Sequence, residues 1–382
     1  MSSRPMAQDQ SRRRKVLLLG SYAGSLINFR GPLIAAMVER GHEVFAAAPD
    51  IDPDVAAKLC ALGATPVPVV LGRTSLDPIA TWRSGRALRA RVREIAPDVM
   101  IAYTIKPVVL GAIAARAAGV PFFAAMITGL GYAFLGGLHP KRLAIRLVAM
   151  FLYRRALGAS QLVIFQNEDD RRDFRRLRML PAGKPTVVVN GSGVDLDHFA
   201  PQPVPEEVSF LMIARYLRDK GIKEYGAAAA RLKAESPQVR VRLAGWLDDA
   251  PDAIGQTELD AIVAAGVEDL GRLTDVRPAI GRSSVYVLPS YREGTPRTVL
   301  EAMAIGRAVI TTDAPGCRGT VVEGENGFLV PVGDSEALYR AMRRFVEAPA
   351  LARTMGESSL RLVREKFDVD KVNATILEAT GL

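Results

Sequence analysis

Short apolar runs alternate with longer amphipathic stretches along almost the whole chain, and this alternation breaks only once. Apolar runs at 16–20, 43–48, 99–103, 122–127 and 162–166, with a helical pattern over 33–40, precede Pro201-Gln202-Pro203-Val204-Pro205. After it the rhythm restarts at 208–213, 239–244, 285–288 and 308–311. Strands separated by helical stretches are the pattern of βαβ units and parallel sheets. The proline-rich break reads as a linker. The expected fold is α/β, with two Rossmann-like doubly wound domains. Residues 1–14 are expected to form a disordered basic tail, 15–200 an amino-terminal domain and 201–366 a second domain. Further helical patterns cover 335–346 and 351–367, and 367–382 reads as a last helix that packs back on the first domain. Doubly wound sheets bind ligands beyond the carboxyl ends of their strands, so the expected active site is a cleft between the domains.

Composition narrows the partners. With 382 residues, 49% hydrophobic, the chain buries a substantial core. The net charge of +9 is one-sided: residues 1–200 carry 27 Lys and Arg against 15 Asp and Glu, the remainder 23 against 26. Such an excess suits an anionic partner: nucleic acid, a phospholipid surface or a diphosphate-bearing substrate. The arginine-rich stretch 171–178 raises the first, but no helix-turn-helix, aromatic RNA-binding or zinc pattern accompanies it. Cys60 and Cys317 stand far apart, so neither a disulfide framework nor a zinc site is indicated. No run approaches the ~20 apolar residues of a membrane span, and Arg12-Arg13-Arg14-Lys15 leads directly into the first strand. A cytoplasmic location is expected.

The segment 284–306, Ser-Val-Tyr-Val-Leu-Pro-Ser-Tyr-Arg-Glu293-Gly294-Thr295-Pro296-Arg297-Thr298-Val299-Leu-Glu301-Ala-Met-Ala-Ile-Gly, reads as strand, turn and capped helix. Thr295 suits the N-cap and Pro296 the first helical position. The backbone N–H groups of Arg297, Thr298 and Val299 would then make a phosphate site at the positive end of the helix dipole. Glu293 on the turn suits sugar hydroxyls; Glu301, nearly two turns into the helix, suits the two hydroxyls of a ribose. Two glutamates eight apart carry little information alone. The strand–turn–helix context, followed by Gly306 to Gly316 and by Gly324-Glu-Asn326-Gly327-Phe-Leu-Val-Pro331, carries much more.

Together these residues closely resemble the E-x7-E segment of family 4 glycosyltransferases, which have the GT-B fold. The resemblance implies a retaining hexosyltransferase, with Glu293, Lys220 and Arg215 catalytic. Ala214-Arg215-Tyr-Leu-Arg-Asp-Lys220-Gly221 is similar to the family's Arg-x4-Lys, so Arg215 and Lys220 are expected on the donor diphosphate, where cations offset the charge of a departing nucleotide. Gly294, Thr295, Arg297, Thr298, Val299 and Glu301 complete the donor site, with Leu273 beside the base. The loop Gly20-Ser-Tyr-Ala-Gly24-Ser is not a G-x-G-x-x-G fingerprint, and its Gly24 is expected near the donor phosphates and the acceptor.

Tyr103-Thr104-Ile-Lys106-Pro, Ile127-Thr128-Gly129-Leu-Gly131-Tyr132, Phe165-Gln-Asn-Glu-Asp169 and Asn190-Gly-Ser-Gly-Val-Asp195 resemble bacterial transferases that extend undecaprenyl-diphosphate-linked sugars, including those of protein glycosylation that transfer N-acetylgalactosamine. They imply a UDP-sugar donor, a polyprenyl-diphosphate-linked acceptor in polysaccharide or glycoprotein assembly, and Lys106, Thr128 and Gly129 on the acceptor side. Many family members carry a histidine where this chain has Thr128-Gly129, and none of His42, His139 and His198 reads as catalytic. Asp-x-Asp recurs at four places, including Asp195 and Asp197, so no essential metal and no cofactor is expected. The stretch 141–155, apolar in its middle and cationic at its ends, suits either an anionic inner-membrane surface or a buried domain helix. A GT-B-like nucleotide-sugar epimerase and a non-catalytic sugar- or nucleic-acid-binding protein are the alternatives.

Overall fold

The computed structural model describes residues 13–71, 78–130, 134, 140–248, 250 and 252–382. The chain forms two compact units: unit 1 extends to Ser192 and includes Asp370–Leu382, and unit 2 is Gly193–Val369.

Unit 1 is built on seven strands: β1 (Lys15–Leu19), β2 (Glu43–Ala48), β3 (Thr65–Pro68), β4 (Val99–Tyr103), β5 (Phe122–Ile127), β6 (Leu162–Phe165) and β7 (Thr186–Val188). All pairs are parallel, in the order β3-β2-β1-β4-β5-β6-β7. Leu17 and Leu19 of β1 join one core with Met100 and Ala102. Val16 and Leu18 join another with Val99 and Ile101. Burial on both faces explains why these strands read as unbroken apolar runs. The helix Val369–Thr380 places Val372, Ile376 and Leu377 in the core that holds Val16 and Leu18.

Unit 2 repeats the plan with β8 (Ser209–Arg215), β9 (Arg240–Trp246), β10 (Glu268–Asp269), β11 (Val285–Leu288), β12 (Ala308–Thr312) and β13 (Gly327–Val330). These are again parallel, in the order β10-β9-β8-β11-β12-β13. In each unit the strand order reverses beside the first strand, at β1/β4 and at β8/β11. This is where an open α/β sheet opens a ligand crevice.

Two expectations are corrected. The division falls after Ser192, not at residue 200, because Val194 and Phe199 are buried in the unit 2 core. The chain crosses back at Val369/Asp370, not at 366/367: the Val194 N–H donates to Phe367 O (2.9 Å) and the Val369 N–H to Val194 O (3.1 Å). The proline-rich stretch is therefore no linker but part of unit 2. Buried Arg307 fastens it, donating from Nη1 to Gln202 O (3.0 Å) and from Nη2 to Pro203 O (2.9 Å) and Gly281 O (2.9 Å). Of the expected tail, 1–12 lie outside the described residues, as do Gly131, Tyr132 and His139.

Candidate active site

The unit 2 switch point gathers the strongest sequence motifs. Arg215 is the last residue of β8, and a single helical turn, Arg218–Lys220, carries Lys220 back toward the carboxyl end of β11. Gly221 makes this turn possible. Its φ is +76°, and a Cβ there would lie 2.2 Å from Pro289 O. Beyond β11, the Ser290 hydroxyl and the Tyr291 N–H both donate to Asp219 O, at 3.1 and 2.8 Å, tying the two loops together.

Glu293 and Lys220 meet there. Lys220 Nζ donates to Glu293 Oε1 at 2.6 Å, and Ser290 Oγ donates to the same oxygen at 2.8 Å. Both charged side chains are largely shielded from solvent. Burial pulls the Lys220 ammonium pKa down, but the charge and hydrogen bond of Glu293, with Asp219, outweigh it and the net shift is upward. The lysine is thus a fixed cation. Asp219, whose Oδ1 is buried without a hydrogen-bond partner, is raised by burial against the lowering effect of Lys220. Arg215 Nη1 reaches Asp248 Oδ2 at 3.1 Å. The turn bearing Glu293 is closed by Gly316, at φ +79°, where a Cβ would lie 2.1 Å from Glu293 O.

The following helix, Arg297–Ala304, starts one residue later than expected. Pro296 is the N-cap, with extended ψ of 109° and no side-chain cap, and the Thr295 hydroxyl donates to Gly294 O (2.8 Å). Val299 is likewise corrected: its N–H donates to Pro296 O (3.1 Å), so it is used within the first turn. Thr298 contributes its side chain to buried Tyr286, whose hydroxyl donates to Ile213 O (3.0 Å) and so connects this helix start to β8. Glu301 is 6% exposed and accepts from Arg297 Nε at 2.7 Å. Burial raises its pKa, and the lowering effect of Arg297 does not cancel this. Leu273 packs against the unit 2 core after β10, where the Gly245 N–H donates to Gly271 O (2.9 Å).

The unit 1 candidates stand at the carboxyl ends of adjacent strands. Gly24 lies in the short helix Ala23–Asn28, where a Cβ would meet only the Tyr22 ring. At Gly20 a Cβ would lie 2.3 Å from Tyr103 Oη, so a larger residue there would have to displace the buried Tyr103 side chain. Lys106 is the second residue of the helix Ile105–Ala118, its pKa lowered by burial. Thr128 and Gly129, with φ +128° at Gly129, follow β5. The Asp195 carboxylate is used locally, accepting from the N–H groups of Asp197 and His198. Among the described residues no group of three His, Cys, Asp or Glu is placed to hold a metal ion.

Ser290, Asp248, Gly316 and Tyr286 were assigned no role from the sequence. Ser290 and Gly316 lie inside the quoted motifs, Ser290 at the start of the turn read after the strand and Gly316 in the stretch that follows the helix. Asp248 and Tyr286 left no local signal, because their partners are 33 and 73 residues away.

Comparison with known proteins bears on the same segments. Residues 30–191 match the glycosyl transferase 4-like domain and residues 207–348 match glycosyl transferases group 1. The chain is 28% identical over 354 residues to the N,N'-diacetylbacillosaminyl-diphospho-undecaprenol alpha-1,3-N-acetylgalactosaminyltransferase of Campylobacter jejuni, covering 89% of this chain and 91% of that protein. It is 29% identical over 270 residues to the UDP-Gal:alpha-D-GlcNAc-diphosphoundecaprenol alpha-1,3-galactosyltransferase of Escherichia coli, covering 66% and 67%. Among solved structures, sucrose-phosphate synthase of Thermosynechococcus elongatus superposes with a TM-score of 0.80 at 20% identity, over 96% of this chain and 98% of that one. Anabaena HepE in complex with UDP and glucose does so with 0.76 at 21%, over 96% and 99%.

Proposed function

The chain is a GT-B glycosyltransferase of family 4, with a glycosyl transferase 4-like domain followed by a group 1 domain, and we propose that it moves a hexose or N-acetylhexosamine from a UDP-sugar to a polyprenyl-diphosphate-linked saccharide. The observation that carries this is the Lys220–Glu293 pair at the β8/β11 switch point, one turn before the helix that bears Glu301. The C. jejuni and E. coli relatives, both named for undecaprenyl-diphosphate acceptors, support the acceptor, and the HepE complex supports UDP.

In this reading Lys220 and Arg215 meet the donor diphosphate, Glu301 the ribose and Glu293 the hydroxyls of the transferred sugar, while Lys106, Thr128 and Gly129 serve the acceptor. The acceptor hydroxyl attacks the anomeric carbon as the bond to the diphosphate oxygen breaks. The proton passes to the leaving phosphate on the same face, so configuration is retained. The protein then contributes position and charge. The two cations supply the neutralisation that a metal gives elsewhere, so activity is expected to survive a chelator.

We also place the enzyme on the inner face of the plasma membrane. The helix Pro140–Ala159 buries Ala149, Tyr153, Ala156 and Leu157, yet leaves Leu143, Leu147, Val148 and Phe151 exposed, Phe151 at 63%. Leu143, Leu147 and Phe151 recur every four residues on one face, beside exposed Arg154 and Arg155. No helix among the described residues is long and apolar enough to cross a membrane.

The deciding experiment incubates the protein with UDP- and GDP-sugars, with and without polyprenyl-diphosphate saccharides, and follows nucleoside diphosphate release and the anomeric configuration of the product. Release from one UDP-sugar only with the lipid, with retained configuration and loss in Glu301→Ala, is expected. Acceptor-independent consumption would establish the epimerase alternative, and binding without turnover the non-catalytic one.

A further inference from the structure

Arg30 is the most unusual charge in unit 1. It lies between the helices Ala23–Asn28 and Gly31–Glu39 and is only 3% exposed. Its guanidinium stands over the Tyr103 ring, with Cζ 5.0 Å from the centroid. Buried arginines ordinarily have carboxylates or several carbonyls around them. Arg307 follows that rule with carbonyls of Ile280, Gln202, Pro203 and Gly281. Arg30 does not: among the described residues its side chain has neither an ion pair nor a hydrogen-bond acceptor, and its Nε is fully buried.

Its surroundings are the carboxyl ends of β1 and β4, the unit 1 switch point. Tyr103 ends β4, and its hydroxyl is 2.7 Å from Ser25 Oγ. Thr104 follows with φ +69°, a strained value for a β-branched residue, and donates from Oγ1 to Ser21 Oγ at 2.9 Å. Directly beyond it begins the helix Ile105–Ala118, with no acidic residue in its first turn and Lys106 at its second position. A guanidinium without a counter-charge thus covers the last residue of β4, and a helix amino terminus with a lysine at its second position begins two residues further along the chain. All three favour negative charge.

We propose that Arg30 is the charge-recognising residue of an anion subsite at the β1/β4 edge of unit 1, and that its ligand is a phosphate or diphosphate group. This deepens the transferase reading and rests on it for the source of the group, which is either the lipid-linked acceptor or the donor.

The test uses full-length protein carrying Arg215→Ala and Lys220→Ala, so that the unit 2 cations do not contribute, and titrates it with inorganic pyrophosphate by calorimetry. Saturable binding that weakens about tenfold or more on adding Arg30→Met is expected. Arg30→Met alone is expected to melt at or above the wild-type temperature, because it removes an uncompensated buried charge. A fall in melting temperature with unchanged pyrophosphate binding would make Arg30 a packing residue and overturn the proposal, as would absence of binding in the starting variant. In steady-state assays of Arg30→Met, a raised KM for the polyprenyl-diphosphate saccharide at unchanged donor KM assigns the site to the acceptor, and the reverse assigns it to the donor. Unchanged values of both, with transfer intact, would sink the subsite while leaving the transferase standing. No turnover with any substrate, but pyrophosphate binding that depends on Arg30, would do the opposite.

Discussion

Glu301, the proposed ribose ligand, opposes stability. Its folded pKa is raised, so the folded state favours the protonated acid. The stability contribution is full below the unfolded pKa and is lost as pH rises through the folded value. Glu301→Gln is therefore expected to melt above the wild type at neutral pH, with the difference closing under acid conditions, while its Kd for UDP rises about tenfold through loss of a charged hydrogen-bond acceptor. Thermal melts across pH with parallel UDP titrations check both, and a variant equally destabilised at every pH would refute the assignment. Lys220 is shifted upward too, but for a lysine this favours the charged form, which Glu293 holds protonated. Lys220→Ala is expected to lower kcat by about 10²-fold or more, because neutralisation of the leaving diphosphate matters most in the transition state. An unchanged kcat with only a raised KM would reduce Lys220 to a binding residue.

The turns around β11 depend on glycine where side chains have no room. Gly221→Ala would put a Cβ against Pro289 O at a positive φ. It is expected to cost about 1–3 kcal/mol from the backbone conformation alone, measurable as a lower denaturation midpoint, and to displace Lys220 from Glu293 with loss of UDP binding. Helix 140–159 answers a question that periodicity left open. It is neither wholly buried nor simply polar outside, but exposes an apolar ridge. Leu147→Asp with Phe151→Asp is expected to abolish cosedimentation with phosphatidylglycerol vesicles at low salt and to leave soluble donor binding intact. Equal sedimentation of variant and wild type would remove this ridge from the proposed membrane contact. By contrast, much of the arginine run 171–178 is committed within its own helix, where Arg171, Arg172 and Arg176 pair with Glu168, Asp169 and Asp173.

Each unit has its own core, so ligand and mutation are expected to act on one of them. UDP at about 100 times its Kd should stabilise unit 2 by about 2.7 kcal/mol, raising one calorimetric transition and leaving the other in place. Arg307→Met, which strips five carbonyls of their donor, should lower that same transition. Effects of equal size on both transitions would contradict independent cores.

The parallel-sheet architecture, the strands buried on both faces and the E-x7-E turn and helix were legible in the sequence, because burial on both faces writes itself as apolar runs and tight turns as glycine and proline. Edge strands were not: β3 contains two prolines, β7 has three residues and β10 only Glu268–Asp269, too short for any periodicity. The unit boundary, the helix register at Pro296 and the partners Asp248 and Tyr286 were decided by tertiary structure, since each depends on contacts between residues distant in the chain. Arg30 is the same case. Nothing beside it in the sequence separates a solvated arginine from a buried one, and only the packing of two helices against Tyr103 encloses its charge at the edge of the sheet.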